Sequence, residues 1–255
     1  MSRPFNAKDV DIFKVIEITT INKCNRNCKT CPNSVIEKNG ELMSEEVYMK
    51  ILGDLKKANY RGRISPYDMN EPTLDKRLPD LIAKTREMFP DNVIYIGSNG
   101  IAIDQDYVRM LFEKGLSQIL ITCYDEFVYE KFKSMEDNKK VRLWPIFNEN
   151  LEKIFMNRAG NIKVGENVSV QRPCEKGLQQ CMINWKGEMV FCCSDYYYEE
   201  VAGNVMDADV ISLYNCEKYK QYREWLADGR RDKISICSRC NFLRTEEDIK
   251  KGLKD

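Results

Sequence analysis

The sequence predicts an α/β fold followed by a small cysteine-rich C-terminal domain, and three observations predict it. Short β-like runs alternate with helical stretches through the first half of the 255 residues. Capping and stop residues bound several of the helical stretches. Past about Asn161 the rhythm gives way to Gly, Cys, Asn and Tyr with only short strand signals. The boundary is placed near residue 160, which divides the chain into 1–160 and 161–255. In order, Val15–Ile21 reads as a strand. Ser44–Lys57 reads as a helix with Ser44 as N-cap and Leu42, Val47, Ile51 and Leu55 at apolar spacing. Arg63–Met69 is a second strand, and Lys76–Phe89 a helix stopped by Pro90. Val93–Gly97, the helix Asp104–Lys114 closed by Gly115, and the strand Gln118–Cys123 follow. Val141–Phe147 is a weaker strand because it contains Pro145. In the second part, Met182–Trp185 and Met189–Cys192 flank a turn at Lys186-Gly187-Glu188, Lys218–Leu226 reads as a helix, and Thr245–Asp255 as a charged tail. Strands alternating with helices pair in parallel through right-handed crossovers, and such sheets carry their chemistry at the C-terminal ends of the strands.

Composition narrows the function. The 40 Lys and Arg balance the 40 Asp and Glu, which argues against a general nucleic-acid binder. No signal peptide and no run of about 18 apolar residues is present, so a soluble, cytoplasmic protein is expected. The absence of His removes the commonest general base, the commonest nitrogen ligand for metals and every Ser-His or Cys-His nucleophile. Eleven cysteines in a reducing compartment point to metal or redox chemistry rather than disulfides.

Directly after the first strand lies Cys24-Asn-Arg-Asn-Cys28-Lys-Thr-Cys31-Pro32. Three thiolates on one loop suit a 4Fe–4S cube with one iron left open to a small chelate; a zinc ion is the other candidate. The CxxxCxxC spacing resembles the motif of the radical S-adenosylmethionine (radical SAM) superfamily. The resemblance implies a partial (β/α)5–6 TIM-like barrel whose cluster binds S-adenosylmethionine through its open iron. It implies an external electron donor such as flavodoxin or ferredoxin, and a 5′-deoxyadenosyl radical that abstracts hydrogen from substrate. It also implies roles for further residues. Glu71, in Met69-Asn70-Glu71-Pro72, contacts the methionyl amino group, with Asn70 standing where the family has Gly. Ser98 and Asn99 of Ser98-Asn99-Gly100 lie near the cofactor, and Thr122 and Cys123 touch its ribose and carboxylate. The residue before the third cysteine, often aromatic in the family, is Thr30.

A second set of cysteines includes the knuckle Cys237-Ser-Arg-Cys240, common to zinc and iron–sulfur sites. The segments Arg172-Pro173-Cys174, Gly187, Phe191–Asp195 and Gly203-Asn204 resemble the Twitch domain, a short form of the SPASM domain that holds one auxiliary 4Fe–4S cluster. That resemblance implies Cys174 rather than Cys181 and Cys192 rather than Cys193 as ligands, with Cys237 and Cys240; a structural zinc on the same thiolates is the alternative. Cys123, Cys181, Cys193 and Cys216 are left over as small buried residues. Cys193 or Cys181 is the candidate for donating hydrogen to a substrate radical.

The chain as a whole resembles small Twitch-type dehydrogenases through Cys31–Ser34, Gly62–Ser65, Glu71-Pro72 and Asn157–Gly160. This implies oxidation of a secondary alcohol to a ketone on a small polar sugar, cyclitol or nucleoside-like substrate. The auxiliary cluster would accept the electron, with Arg158 near substrate. Two positions depart from the pattern: Ser194 replaces a carboxylate, with Asp195 adjacent, and Tyr67 replaces a His. Asp195 or Tyr67 is expected to hold a hydroxyl or take its proton, in a polar pocket with Asp68, Trp144, Arg158 and Ser194. A radical epimerase with a cysteine hydrogen donor is one alternative, and a ribosomal-peptide maturase is another. Against the maturase stands the span of about fourteen residues before the first strand, too short for a leader-binding domain. A non-catalytic, metal-stabilised binding protein is the reading from a different class. The three-cysteine loop with Glu71 argues against it.

Overall fold

The structure is a computed structural model that describes residues 12–34, 36–147, 157–163 and 170–242. Strand β1 (Val15–Ile18) lies between β2 (Arg63–Ser65) and β6 (Gln180–Ile183) and is parallel to both. Strands β3 (Tyr95–Ser98), β4 (Gln118–Cys123) and β5 (Val141–Pro145) form a second parallel sheet, joined to β2 by a single parallel bridge between Ile64 and Ile94. The spatial order β6-β1-β2-β3-β4-β5 makes an open, all-parallel barrel wall. From β6 the chain turns back through Gly187 into antiparallel β7 (Glu188–Val190) and β8 (Val201–Asn204). Gly187 has φ +83°, a conformation that costs a glycine nothing. The C-terminal segment therefore extends the same sheet as β1.

Helices α1 (Glu45–Lys57), α2 (Leu78–Met88), α3 (Gln105–Glu113) and α4 (Glu126–Phe132) follow β1 to β4. Ser44, Asp104 and Asp125 cap three of them by accepting from the backbone N–H of Val47, Tyr107 and Val128. The strand pleat sorts the side chains. Ile16, Ile64 and Cys181 share one face at matched register and are buried in one cluster with Ile51 and Leu55 of α1. A fully buried aliphatic side chain of this kind contributes about 1.5–3 kcal/mol. The opposite face, with Glu17, Arg63, Tyr95 and Gln180, looks into the barrel. Beyond the barrel come α5 (Glu175–Gln179), α6 (Val210–Tyr214), α7 (Glu217–Ala227) and α8 (Ser235–Ser238).

Several elements are shorter than the sequence pattern predicts. Strand β1 ends at Ile18, and Ile21 keeps only an isolated bridge to Leu42. Leu42 is half exposed and lies outside the apolar face of α1. Strand β2 ends at Ser65 because Pro66 has no N–H for the ladder, and the chain then bends, with the Asp68 N–H donating to Asn70 Oδ1 at 3.0 Å. Helix α4 was not expected; only Asp125 marks its start. The charged tail Thr245–Asp255 lies outside the described residues. No helix among the described residues is long and apolar enough to cross a membrane.

Candidate active site

The barrel encloses a cavity of about 290 Å³ whose mouth carries the three-cysteine loop. Cys24, Cys28 and Cys31 all line it. A tight turn shapes the loop: the Cys31 N–H donates to the Cys28 carbonyl at 2.9 Å, and both the N–H and the hydroxyl of Ser34 donate to the Cys31 carbonyl. Burial pushes the Cys24 thiol up. Asn99 Nδ2 lies 3.9 Å from Cys24 Sγ, and the Tyr196 hydroxyl 3.8 Å from Cys31 Sγ, so polar groups already face the sulfurs. Three thiols lining one cavity fit a 4Fe–4S cluster, whose irons each take one thiolate and whose fourth iron is left for a small chelate.

Glu71 joins this loop to β3. Its N–H donates to the Lys23 carbonyl at 2.8 Å. Its carboxylate accepts from the hydroxyls of Ser98 (2.8 Å) and Thr73 (2.7 Å) and from the N–H of Asn99 (2.7 Å) and Thr73 (3.2 Å). Burial raises its pKa above the ordinary carboxylate value despite these donors. Glu71, Ser98 and Asn99 thus meet Cys24 in one network, and Thr122 lines the same cavity from β4. Cys123 does not. The pleat turns it outward, where it is buried beneath α4 and its thiol is pushed up to about 11 by that burial. The aromatic ring beside the cysteine loop comes from Tyr124, which lies 4.5 Å from the Arg26 guanidinium. No pattern at residue 30 announced it.

Deeper in the barrel the lining is polar. Arg63 Nη2 donates to Glu17 Oε1 at 3.4 Å, and the Arg63 guanidinium stacks 4.5 Å from the Tyr95 ring. Tyr67 lies across β3 because Gly97 leaves room; a Cβ there would come within 2.9 Å of the Tyr67 ring. Glu17, Arg63, Tyr95 and Gln180 were not singled out from the sequence. The available signal was a charged residue at an inward position of an otherwise apolar strand, as in Val-Ile-Glu-Ile. Six of the nine buried side-chain nitrogen and oxygen atoms that lack a hydrogen-bond partner among the described residues belong to this cavity wall, on Arg26, Asn33, Arg63, Asn70, Arg158 and Gln180. Buried polar atoms are normally paired, so this concentration marks a site completed by a polar ligand. Asp68, Trp144 and Cys193 also line it. Burial drives the Asp68 carboxyl well above its ordinary pKa; Glu17 and Cys193 add to this, while Arg158 and Lys38 oppose it.

Arg158 enters the cavity from a strained turn. Arg158 and Ala159 have φ +48° and +56°, each costing about 1–3 kcal/mol. The turn is clasped by the CxxC loop: Asn157 Nδ2 donates to the Arg239 carbonyl (2.8 Å), the Asn157 N–H to Asn241 Oδ1 (2.7 Å), and Arg239 Nε to the Ala159 carbonyl (2.6 Å). Asp195 is turned away from the cavity. Its two carboxylate oxygens accept the backbone N–H groups of Glu199 (2.9 Å) and Glu200 (2.8 Å), so it closes a loop instead of lining the cavity. Ser194 also lies off this cavity.

A second, smaller cavity is lined by Cys174, Cys192, Cys237 and Cys240, with Ser194, Lys176 and Arg231. The adjacent pair Cys192 and Cys193 divides between the two cavities, and Cys181 faces neither because it packs on the helix side of β6. Four thiols on one enclosed space fit a fully ligated cluster.

Comparison with known proteins accords with this geometry. The family model of the radical SAM superfamily matches residues 18–125, and that of SPASM, an iron–sulfur cluster-binding domain, matches residues 174–241. The chain belongs to the radical SAM superfamily and carries a SPASM-type auxiliary-cluster domain. The cofactors of this radical SAM protein are the 4Fe–4S cluster of the superfamily, S-adenosylmethionine and an auxiliary iron–sulfur cluster. It is 26% identical over 247 residues to the S-adenosyl-L-methionine-dependent 2-deoxy-scyllo-inosamine dehydrogenase of Niallia circulans, covering 92% of this chain and 96% of that protein. Its fold matches the crystal structure of BtrN in complex with AdoMet and 2-DOIA (TM-score 0.82, 24% identity, 91% of this chain and 94% of that one). Streptococcus suis SuiB bound to S-adenosylmethionine is more distant (TM-score 0.51, 12% identity, 94% and 75% covered).

Proposed function

We propose that this radical SAM protein oxidises a secondary alcohol of a small polyhydroxylated substrate, cyclitol- or sugar-like, to a ketone. The carrying observation is the cavity that runs from three cysteines to a polar floor rich in unpartnered hydrogen-bonding atoms, with a four-cysteine cavity beside it. When bound, the cluster and S-adenosylmethionine supply one-electron cleavage chemistry and abstraction of a hydrogen atom from an unactivated C–H bond. Cys24, Cys28 and Cys31 hold the cluster, and an external flavodoxin- or ferredoxin-like donor reduces it. Glu71, fixed by Ser98, Asn99 and Thr73, receives the methionyl ammonium, while Thr122 and Tyr124 contact the nucleoside. Glu17, Arg63 and Gln180 bind substrate hydroxyls. Asp68 takes the hydroxyl proton, for which a raised carboxyl pKa is suited, and Arg158 steadies the resulting oxygen charge. Tyr67 shapes the wall beside Asp68. Cys174, Cys192, Cys237 and Cys240 hold the auxiliary cluster that accepts the second electron. The division into a radical-generating part, residues 1–160, and an auxiliary part, 161–255, belongs to the same reading.

One observation favours a second reading. Cys193 lines the substrate cavity with Lys176 Nζ 3.9 Å from its sulfur, where a thiol could return hydrogen to a substrate radical as an epimerase requires. Incubation of the reduced, reconstituted protein with S-adenosylmethionine and 2-deoxy-scyllo-inosamine in deuterated water separates the two. A product lighter by two mass units, made by wild type and Cys193→Ala alike, supports the dehydrogenase. Solvent deuterium on carbon, lost in Cys193→Ala, overturns it.

A further inference from the structure

Beside the four-cysteine cavity lies a charge that the proposed reaction has not used. Arg231 is 1% exposed, yet among the described residues each group it donates to is a neutral carbonyl: Nε to Arg172 (2.8 Å), Nη1 to Phe242 (2.8 Å) and Nη2 to Pro173 (3.2 Å). Among the described residues no carboxylate forms an ion pair with it, although thirteen ion pairs are present elsewhere. An uncompensated buried charge costs several kcal/mol, so a fold that retains one has a negative partner for it. The carbonyls it holds belong to the residues just before Cys174 and to the second residue after Cys240. The guanidinium therefore ties together two loops that each carry a cysteine of that cavity, and it lines the cavity itself.

We infer that Arg231 is the anchor of the auxiliary site: it clamps the Cys174 and Cys240 loops, and its positive charge sets the reduction potential of the cluster between them. This rests on the reading of Cys174, Cys192, Cys237 and Cys240 as ligands. A four-thiolate iron–sulfur cluster is a net anion that gains a further negative charge on reduction, and net charge and hydrogen bonding are the levers that move its potential. A fixed guanidinium stabilises the reduced state more than the oxidised one. Lys176, which lines the same cavity with its ammonium 4.9 Å from the Phe242 ring, adds a second cation. The arrangement raises the potential of a site whose proposed task is to accept an electron.

The test uses the full chain with Cys24, Cys28 and Cys31 changed to Ala, so that only the auxiliary cluster reports. Potential is read by redox titration followed by electron paramagnetic resonance, and clamping by the rate of iron loss to a chelator. Arg231→Met is expected to lower the reduced-to-oxidised ratio at a fixed potential by about tenfold or more, equivalent to about 59 mV for a one-electron couple. Arg231→Lys keeps the charge but cannot span three carbonyls; it is expected to hold the potential while losing iron about tenfold faster. A methionine variant with full iron and an unshifted potential overturns the inference. So does a lysine variant that holds iron as firmly as the parent, and this arm decides the matter if the methionine variant fails to take up a cluster. Neither readout depends on the alcohol substrate, so failure of the dehydrogenase reading leaves them standing. Absence of iron from the triple-alanine parent would instead remove the ligand assignment.

Discussion

The two cysteine sites are built in opposite ways. The first hangs three thiols on one eight-residue loop, Cys24–Cys31, over an open polar cavity. The second gathers four thiols from separate segments, the start of α5, the end of β7 and the turn around α8, into an enclosed space. The first is local, so its ligands are set by the chain's own turn geometry. The second exists only when the C-terminal segment has packed, and it passes its geometry on: the loop that carries Cys237 and Cys240 also clasps the strained turn of Arg158. One site opens onto the polar cavity, while the segment that carries two thiols of the other holds Arg158 in the wall of that same cavity.

The sharpest break in that comparison is a lost ligand. Cys28→Ala is expected to abolish release of 5′-deoxyadenosine from S-adenosylmethionine while auxiliary iron is retained. Chromatographic detection of the nucleoside, with iron analysis, checks it. Next in size is Asp68. Its folded-state pKa lies well above the ordinary value through burial, so the carboxyl still holds its proton at a pH where an exposed Asp is ionised. Proton acceptance therefore grows as pH rises through that raised value, and a native state that favours the neutral acid loses stability over the same interval. Asp68→Asn is expected to lower ketone formation by about 10²–10⁴-fold and to remove that limb of the pH–rate profile, while the substrate-free cleavage of S-adenosylmethionine persists.

Smaller still is the link between the sites. Asn157→Ala removes two hydrogen bonds to the CxxC loop. At about 1 kcal/mol each, this predicts a roughly 10–30-fold fall in kcat/KM, carried mainly by KM. Saturation kinetics on the reconstituted enzyme show whether Arg158 is held from across that contact. The smallest effect distinguishes a loop-closing carboxylate from a catalytic one. Asp195→Asn weakens the bonds to Glu199 and Glu200 and is expected to cost about 1 kcal/mol of stability in a denaturant melt, with turnover within about twofold of wild type.

Much of this was legible in the sequence where chemistry is contiguous. The CxxxCxxC loop, the Glu71-Pro72 turn and Ser98-Asn99 follow strands that the sequence pattern announced, and the structure brings them to one cavity. The four cysteines of the second cavity could be sorted from their neighbours only through resemblance, because nothing in Cys192-Cys193 itself says which sulfur faces which space. Cys123 and Asp195 lie off the cavity for one reason: position along the chain was legible, but side-chain direction was not. In Gln118–Cys123 the pleat sends Leu120 and Thr122 inward and Cys123 to the core. Glu17, Arg63 and Gln180 stayed hidden because an inward polar residue on a barrel strand becomes meaningful only once the strands close around it.

The most direct test of two separate clusters is iron per chain after anaerobic reconstitution, measured on wild type and on the variant with Cys24, Cys28 and Cys31 changed to Ala. Two 4Fe–4S sites predict about eight irons falling to about four, with the remaining iron lost on further change of Cys174 and Cys237 to Ala. An alanine variant that holds no iron, or wild type holding about four with zinc bound at the second site, would contradict the account.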